Sequence, residues 1–140
     1  MTKRTIKPAE LVHSLEKRTS IIWDMLSEGY PRLTRFDPPK IRLNNRLWRC
    51  AGMAHARQGE NFVQLATKFF FFSAEYEKMM YDVILPHEVI HVADYRVFGE
   101  CKEKCGHGEK WAEMMVYYGL PAAKFHSMYI PRSFHIKHSK

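Results

Sequence analysis

The spacing of apolar residues changes along the chain from the period of a helix to that of strands. In residues 8–28 apolar side chains recur every three or four positions, which predicts an amphipathic helix that begins at Pro8 and stops at Gly29. After a proline-rich connector, shorter apolar segments predict three strands, at residues 40–43, 48–56 and 61–67. We expect an antiparallel meander, with Gly52 marking a bulge or a close backbone approach.

Helical spacing returns after a run of four phenylalanines that is too apolar for a loop in water. Ser73 is placed to cap a helix, Pro86 to begin or kink the next one, and Gly99 to end it. A short helix is expected over residues 108–118, where a stripe of methionine and aromatic residues forms the buried face. Helices before and after a small sheet predict an α+β fold, in one domain over residues 1–140.

The most informative stretch is the His-Glu-x-x-His motif at residues 87–91, on a predicted helix. Residues four apart lie on the same helix face, so His87 and His91 can reach one metal ion together. Glu88 follows the first histidine and can reach a water molecule on that metal. Two imidazoles that hold Zn²⁺ beside a carboxylate acting as general base are the arrangement of zinc metalloproteases.

A catalytic zinc ion usually has three protein ligands, so a third is expected downstream. His107 is the best candidate, because glycines on both sides let the backbone come close to a metal. Val97 stands where metzincins have their third histidine, which excludes that class. Asp94 is a local rival, and it could orient a ligand histidine or form an ordinary salt bridge.

His107 could instead belong to a structural zinc site. Cys101 and Cys105 lie just before it and could share a metal with it, but a fourth ligand of matching spacing is not evident. In the other interpretation both cysteines are free thiols. The three cysteines of the chain do not make a disulfide framework, which fits a reducing cytoplasm.

These motifs resemble the SprT/Spartan family of zinc metalloproteases. The strongest part of the resemblance is the two-piece histidine motif, His87-Glu88-x-x-His91 and then Gly106-His107-Gly108-x-x-Trp111. Looser matches lie in residues 38–43, 49–54 and 121–124. The resemblance covers residues 8–131, nearly the whole chain.

The resemblance implies a zincin-like fold and the cleavage of proteins that are held on DNA or crosslinked to it. It agrees with His87, His91 and His107 as zinc ligands and with Glu88 as the catalytic base. One departure concerns the C-terminus. Many SprT-type proteins carry a zinc ribbon with two cysteine pairs, whereas residues 132–140 read as a basic tail without cysteine.

An oxyanion-stabilising group is expected near such a metal, and the sequence does not identify it. Tyr95 and His126 are candidates. A substrate peptide could add to a sheet edge above the metal-binding helix, by analogy with other zincins.

The net charge of +7 is unevenly distributed. Residues 1–70 carry 13 Lys and Arg against 6 Asp and Glu, residues 71–120 carry 5 against 9, and residues 121–140 carry 4 against none. Basic flanks around an acidic catalytic segment would attract a polyanion, so DNA, single-stranded or in a DNA–protein complex, is an expected partner.

Four arginines near the predicted strands could contribute to that contact: Arg42, Arg46, Arg49 and Arg57. With Trp48 nearby they could stack against a single strand and clamp it. In the simpler interpretation they are exposed arginines on a sheet face beside a core tryptophan.

The chain has no apolar run long enough to span a membrane, and its first residues lack the apolar core of a secretory signal. We therefore expect a cytoplasmic monomer without a membrane partner. Two other functions stay open. One is a non-catalytic DNA-binding module with structural zinc, and the other is a metal-dependent hydrolase of non-peptide substrates.

Overall fold

The computed structural model describes residues 7–57, 60–99, 108–121, 130–131 and 133–134. The elements in chain order are α1 (Pro8–Gly29), a 3₁₀ helix (Pro31–Arg35), β1 (Lys40–Asn44), β2 (Gly52–Arg57), β3 (Glu60–Ala66), α2 (Thr67–Phe72), α3 (Ala74–Met79), a π-helical turn (Met80–Ile84), α4 (Leu85–Phe98) and α5 (Glu109–Tyr118). The predicted α+β class is confirmed. In this part of the chain even α1, with 22 residues, is too polar to serve as a membrane span.

Helix α1 forms where the apolar spacing predicts it, with Pro8 in its first turn. Its apolar face, which includes Leu15 and Ile22, is fully buried. Trp23 belongs to the same face, and its indole N–H donates to the backbone carbonyls of Leu33 at 3.2 Å and Phe36 at 3.1 Å. These bonds hold the connector that leads into β1.

Gly29 has a different role from the predicted one. It is the last residue of α1 and is not among the described glycines with positive φ, so it is not a left-handed cap. A Cβ atom at this position would lie 2.5 Å from Cζ of Tyr117. The glycine therefore makes room for an aromatic side chain of α5.

The predicted antiparallel meander is wrong, because the strand order is β1-β3-β2. β3 pairs with β1 in parallel and with β2 antiparallel. Only residues 58 and 59 separate β2 from β3, which suits a hairpin, whereas the 15 residues 45–59 separate β1 from its parallel partner. β3, in the centre, is the most buried of the three strands.

The strand bounds differ slightly from the predicted ones. β2 begins at Gly52 rather than at Trp48, which is half-buried against the core. On β3, Val63 and Leu65 face inward and are fully buried, while Phe62 lies on the opposite face.

The run of phenylalanines forms α2, and its first two rings, Phe69 and Phe70, enter the core. Ser73 caps α3 as predicted, since its Oγ accepts a hydrogen bond from the backbone N–H of Tyr76 at 3.1 Å. From Ala74 to Phe98 the chain is helical without a break, and the π-helical turn lies immediately before α4.

Helix α4 lies at the centre of the described structure. It packs against β2 and β3, and also against α1 and α5. Its side chains at Val89, Ile90, Val92 and Ala93 are fully buried. Pro86 lies in its first turn, where the π-helical turn passes directly into α4. Gly99, with φ of 80°, ends the helix as predicted.

Replacing Gly29 with alanine tests the contact between α1 and α5. We expect Gly29→Ala to destabilise the protein by about 0.5–1.5 kcal/mol, because the new methyl group displaces the half-exposed Tyr117 ring and breaks its hydrogen bond to the Met25 carbonyl. In a Tyr117→Ala background the same change should be neutral or stabilising by up to about 1 kcal/mol, since alanine favours a helix over glycine. Urea unfolding of the four proteins measures this coupling, and an equal effect in both backgrounds would contradict it.

Candidate metal centre

Helix α4 brings the side chains of His87, Glu88 and His91 together. Their ligand atoms all lie within 4.8 Å of one another, and the Nε2 atoms of the two histidines are 3.2 Å apart. Two nitrogens bound to one tetrahedral Zn²⁺ at about 2.0–2.1 Å are about 3.3 Å apart. The two rings therefore already have the separation that a shared metal ion requires.

The same distance also allows a hydrogen bond between the two imidazoles when one Nε2 carries a proton. Imidazole nitrogens are ligands for Zn²⁺ and for several other transition metals. The donor set thus fits a divalent transition metal, and Zn²⁺ is one that fits its geometry.

Trp111 of α5 contacts both histidine rings. Its ring centroid is 5.0 Å from that of His87, at 66°, and 5.0 Å from that of His91, at 11°, which is a stacked arrangement. The indole itself is only 1% exposed. A fixed aromatic side chain thus limits how far either imidazole can rotate, and the predicted stripe of α5 does pack beneath the histidines.

Glu88 is buried, with 9% of its surface exposed. Its Oε1 lies 3.8 Å from Nε2 of His87. Burial removes water from the carboxylate and raises the pKa of Glu88 to about 7. A carboxyl group with a pKa near neutrality can both accept and return a proton at neutral pH.

Gly52, at the start of β2, packs closely against α4, the helix that carries His87, Glu88 and His91. A Cβ atom there would lie 3.0 Å from Cδ2 of Leu65, 3.1 Å from Cγ of Glu88 and 3.2 Å from Cγ2 of Ile84. The close backbone approach predicted for this glycine is confirmed. The methylene group of Glu88 uses the space that a side chain at position 52 would fill.

The edge of β2 adjoins the same region. The N–H of Ala66 donates to the carbonyl of Ala51 at 2.8 Å, and pairing alternates along an antiparallel ladder. The backbone groups of Gly52, Ala54 and Ala56 therefore point away from β3. In the described sheet no strand lies on that side, so these groups form an open edge.

Cys50 lies at the end of this edge. The sequence did not indicate this position. Its thiol donates to the carbonyl of Gly52 at 2.9 Å, and burial raises the pKa of the thiol. The available signal was its position, two residues before the glycine predicted to make a close approach. Among the described residues it is a free cysteine.

Several predicted site residues lie outside the described residues: His107, Cys101, Cys105 and His126. The choice between a catalytic and a structural zinc site for His107 therefore stays a prediction. Its chain neighbour Gly108 is buried and is the N-cap of α5, one turn before Trp111. The chain thus enters α5 close to the ring that contacts both histidines.

Two further candidates lie on α4. Asp94 is buried, with 6% of its surface exposed, and a buried carboxylate requires a polar partner. Both interpretations of this residue, orienting a histidine or forming a salt bridge, remain compatible with that burial. Tyr95 is half-buried one turn beyond His91, and its part in oxyanion binding stays a prediction.

Comparison with known proteins adds the family. No curated protein and no solved structure matches the chain. A family model described as SprT-like matches residues 23–126, which are 104 of its 140 residues. The match spans the sheet, the motif helix α4 and α5. The chain therefore belongs to the SprT-like family.

Proposed function

We propose that this protein is a zinc-dependent peptidase that cleaves proteins held on DNA or crosslinked to it. The observation that carries the peptidase assignment is the 3.2 Å separation of the two Nε2 atoms beside a buried Glu88. Membership of the SprT-like family supports it. The DNA-bound substrate rests on the family resemblance and on the basic flanks of the chain.

In this proposal His87, His91 and His107 hold the metal. His87 and His91 are one helical turn apart on α4, and Trp111 keeps their rings in place. His107 precedes Gly108 in sequence, and Gly108 is the N-cap of α5, one turn before Trp111. A bound Zn²⁺ supplies Lewis acidity, which polarises the scissile carbonyl and makes a water molecule easier to deprotonate.

Glu88 acts as the general base and then as the general acid. Burial raises its pKa to about 7. The carboxylate takes a proton from the attacking water and later gives it to the leaving amine. Gly52 leaves the space in which this side chain lies. The step that the chain's own residues perform is thus a proton transfer to and from the Glu88 carboxylate.

The open edge of β2 offers a place for the substrate backbone. Gly52, Ala54 and Ala56 present backbone groups there that pair with no strand of the described sheet, although the Gly52 carbonyl accepts a hydrogen bond from the Cys50 thiol. Helix α4 packs against the same strand. An extended peptide can add to such an edge by main-chain hydrogen bonds. This placement, a substrate strand alongside the metal-binding helix, is the zincin-like part of the proposal.

Replacing the proposed base gives the first test. Glu88→Gln should lower kcat/KM for a protein crosslinked to an oligonucleotide at least about 100-fold, because general base catalysis contributes that much or more. Its zinc content should stay that of the wild type. The exposed Glu10→Gln on α1 is the matched control. Equal cleavage by Glu88→Gln would exclude the base, and no cleavage by zinc-loaded wild type would exclude the peptidase.

The third ligand can be tested by metal binding alone. His107→Ala should weaken zinc affinity at least about 100-fold, since losing a ligand costs more than the 10–100-fold loss typical of its outer-shell partners. The double variant Cys101→Ser/Cys105→Ser should bind zinc as the wild type does. Competition with a chromophoric chelator measures both. If the cysteine variant loses zinc as well, His107 belongs to a structural site.

Trp111→Leu should weaken zinc affinity by about 10–100-fold, because the histidine rings lose the aromatic side chain that orients them. Met114→Leu is the control, since it changes a buried residue of the same helix with little change in volume. Affinity is measured at a temperature where circular dichroism shows both variants folded. An unchanged affinity in Trp111→Leu would mean that the ring only fills space.

A further inference from the structure

We propose that Arg57 and Met53 select the substrate segment that pairs with the open edge of β2. The favoured segment has an acidic residue opposite Arg57 and an apolar residue opposite Met53, four positions apart. In an antiparallel arrangement the acidic residue comes first in the substrate. This selectivity rests on the proposed function, which places an extended substrate segment at that edge.

The side chains of β2 alternate between the two sides of the sheet. Gly52 lies on the side of α4, since a Cβ atom there would be 3.1 Å from Cγ of Glu88. Met53, His55 and Arg57 therefore project from the opposite side. A substrate strand at the open edge follows the same alternation, so every second side chain of it lies beside one of these three.

The two ends of this row are exposed and differ in chemistry. Met53 has 41% of its surface exposed, and Arg57 is exposed as well. His55, between them, is half-buried, and its ring is stacked on Phe62 of β3 at 4.2 Å, with 15° between the planes. Because the His55 ring is already packed against its own sheet, we assign the selection to Met53 and Arg57.

Arg57 is placed to attract a carboxylate of the substrate. The residue directly opposite it on β3 is Glu60, but that carboxylate lies 3.7 Å from Arg42 of β1. Within the part of the chain that the structure describes, Arg57 forms no ion pair. An acidic side chain on a strand at the other edge of β2 would supply the partner, since opposite charges on neighbouring strands attract.

The backbone of β2 favours pairing along this stretch. The thiol of Cys50 already donates to the carbonyl of Gly52 at 2.9 Å. Ala54 and Ala56 direct both their N–H and their C=O groups to the open edge, because pairing with β3 uses the residues between them. Main-chain hydrogen bonds to these two alanines would hold the substrate residues that lie opposite positions 53–57.

The direction of the substrate follows from the position of the metal centre. Glu88 approaches the Gly52 end of β2, so the candidate metal centre lies at that end of the edge. Antiparallel strands pair slightly more stably than parallel ones, and an antiparallel substrate runs from Arg57 towards Gly52. Both selected residues then precede the bond that is cut, and the acidic one is farther from it.

The net charge of +7 attracts any acidic peptide, so local selection has to be separated from it. Moving the acidic residue one position closer to the apolar one keeps the composition and the net charge of the peptide. It also turns one of the two side chains to the other side of the sheet, because side chains alternate along a strand. Arg57 and Met53 distinguish these two peptides, whereas the net charge of the protein does not.

The test measures fluorescence anisotropy of labelled threonine-rich peptides of about ten residues with zinc-loaded Glu88→Gln, which should bind them without cutting. The peptide with glutamate four positions before leucine should bind about two- to fivefold more tightly than the one with glutamate a position closer. Arg57→Gln should abolish this difference, and Arg57→Glu should favour lysine in place of the glutamate. Arg32→Gln, at an exposed arginine of the 3₁₀ helix, is the matched control and should preserve it.

The apolar position has its own variant. Met53→Gln should abolish the tighter binding of leucine over glutamine at that peptide position, while the preference for glutamate four positions earlier stays. Circular dichroism confirms that each variant is folded. In the wild type, mass spectrometry of the products should place the cut on the C-terminal side of the leucine.

Four results would overturn the proposal. They are no peptide binding, equal binding of the two peptides, a difference that survives Arg57→Gln, or a cut on the N-terminal side of the glutamate. The peptidase assignment is tested separately, because binding to Glu88→Gln does not depend on cleavage. A wild type that binds the favoured peptide selectively but cuts no protein would refute the peptidase and leave the selection intact.

Discussion

Helix α4 has to bury an apolar surface and hold three polar side chains together at the same time. Its apolar residues pack between the sheet and the neighbouring helices and are fully buried. His87, Glu88 and His91 face the remaining space, which is bounded by Trp111 and by the start of β2. Because the core fixes the helix in position, His87 and His91, four residues apart in sequence, hold their Nε2 atoms at a fixed distance.

The sequence predicted what depends on local spacing. The end of α4 at Gly99 follows from the chemistry of helix termini, and the pairing of His87 with His91 follows from helical geometry. The buried stripe of α5 follows from its periodicity. In each case the relevant residues lie within a few turns of one another, so no knowledge of the tertiary structure is needed.

What depends on long-range packing was not predicted. Alternation of apolar residues assigns strand faces but says nothing about neighbours, so the central position of β3 could not be derived. Gly29 has the sequence signature of a helix cap, yet its structural reason is Tyr117, which lies 88 positions later. The bond from Cys50 to Gly52 likewise depends on which backbone groups the sheet leaves unpaired.

The absence of a side chain at Gly52 has a consequence for recognising such sites in other chains. His-Glu-x-x-His is short enough to occur by chance, and on a helix it fixes only where the three side chains start. Here the Glu88 side chain also requires the space left by the missing side chain of Gly52, on a strand more than thirty positions earlier. A chain of this fold that has the motif but a bulky residue at that strand position would contain the motif in its sequence. Its glutamate could not take the position that Glu88 has here.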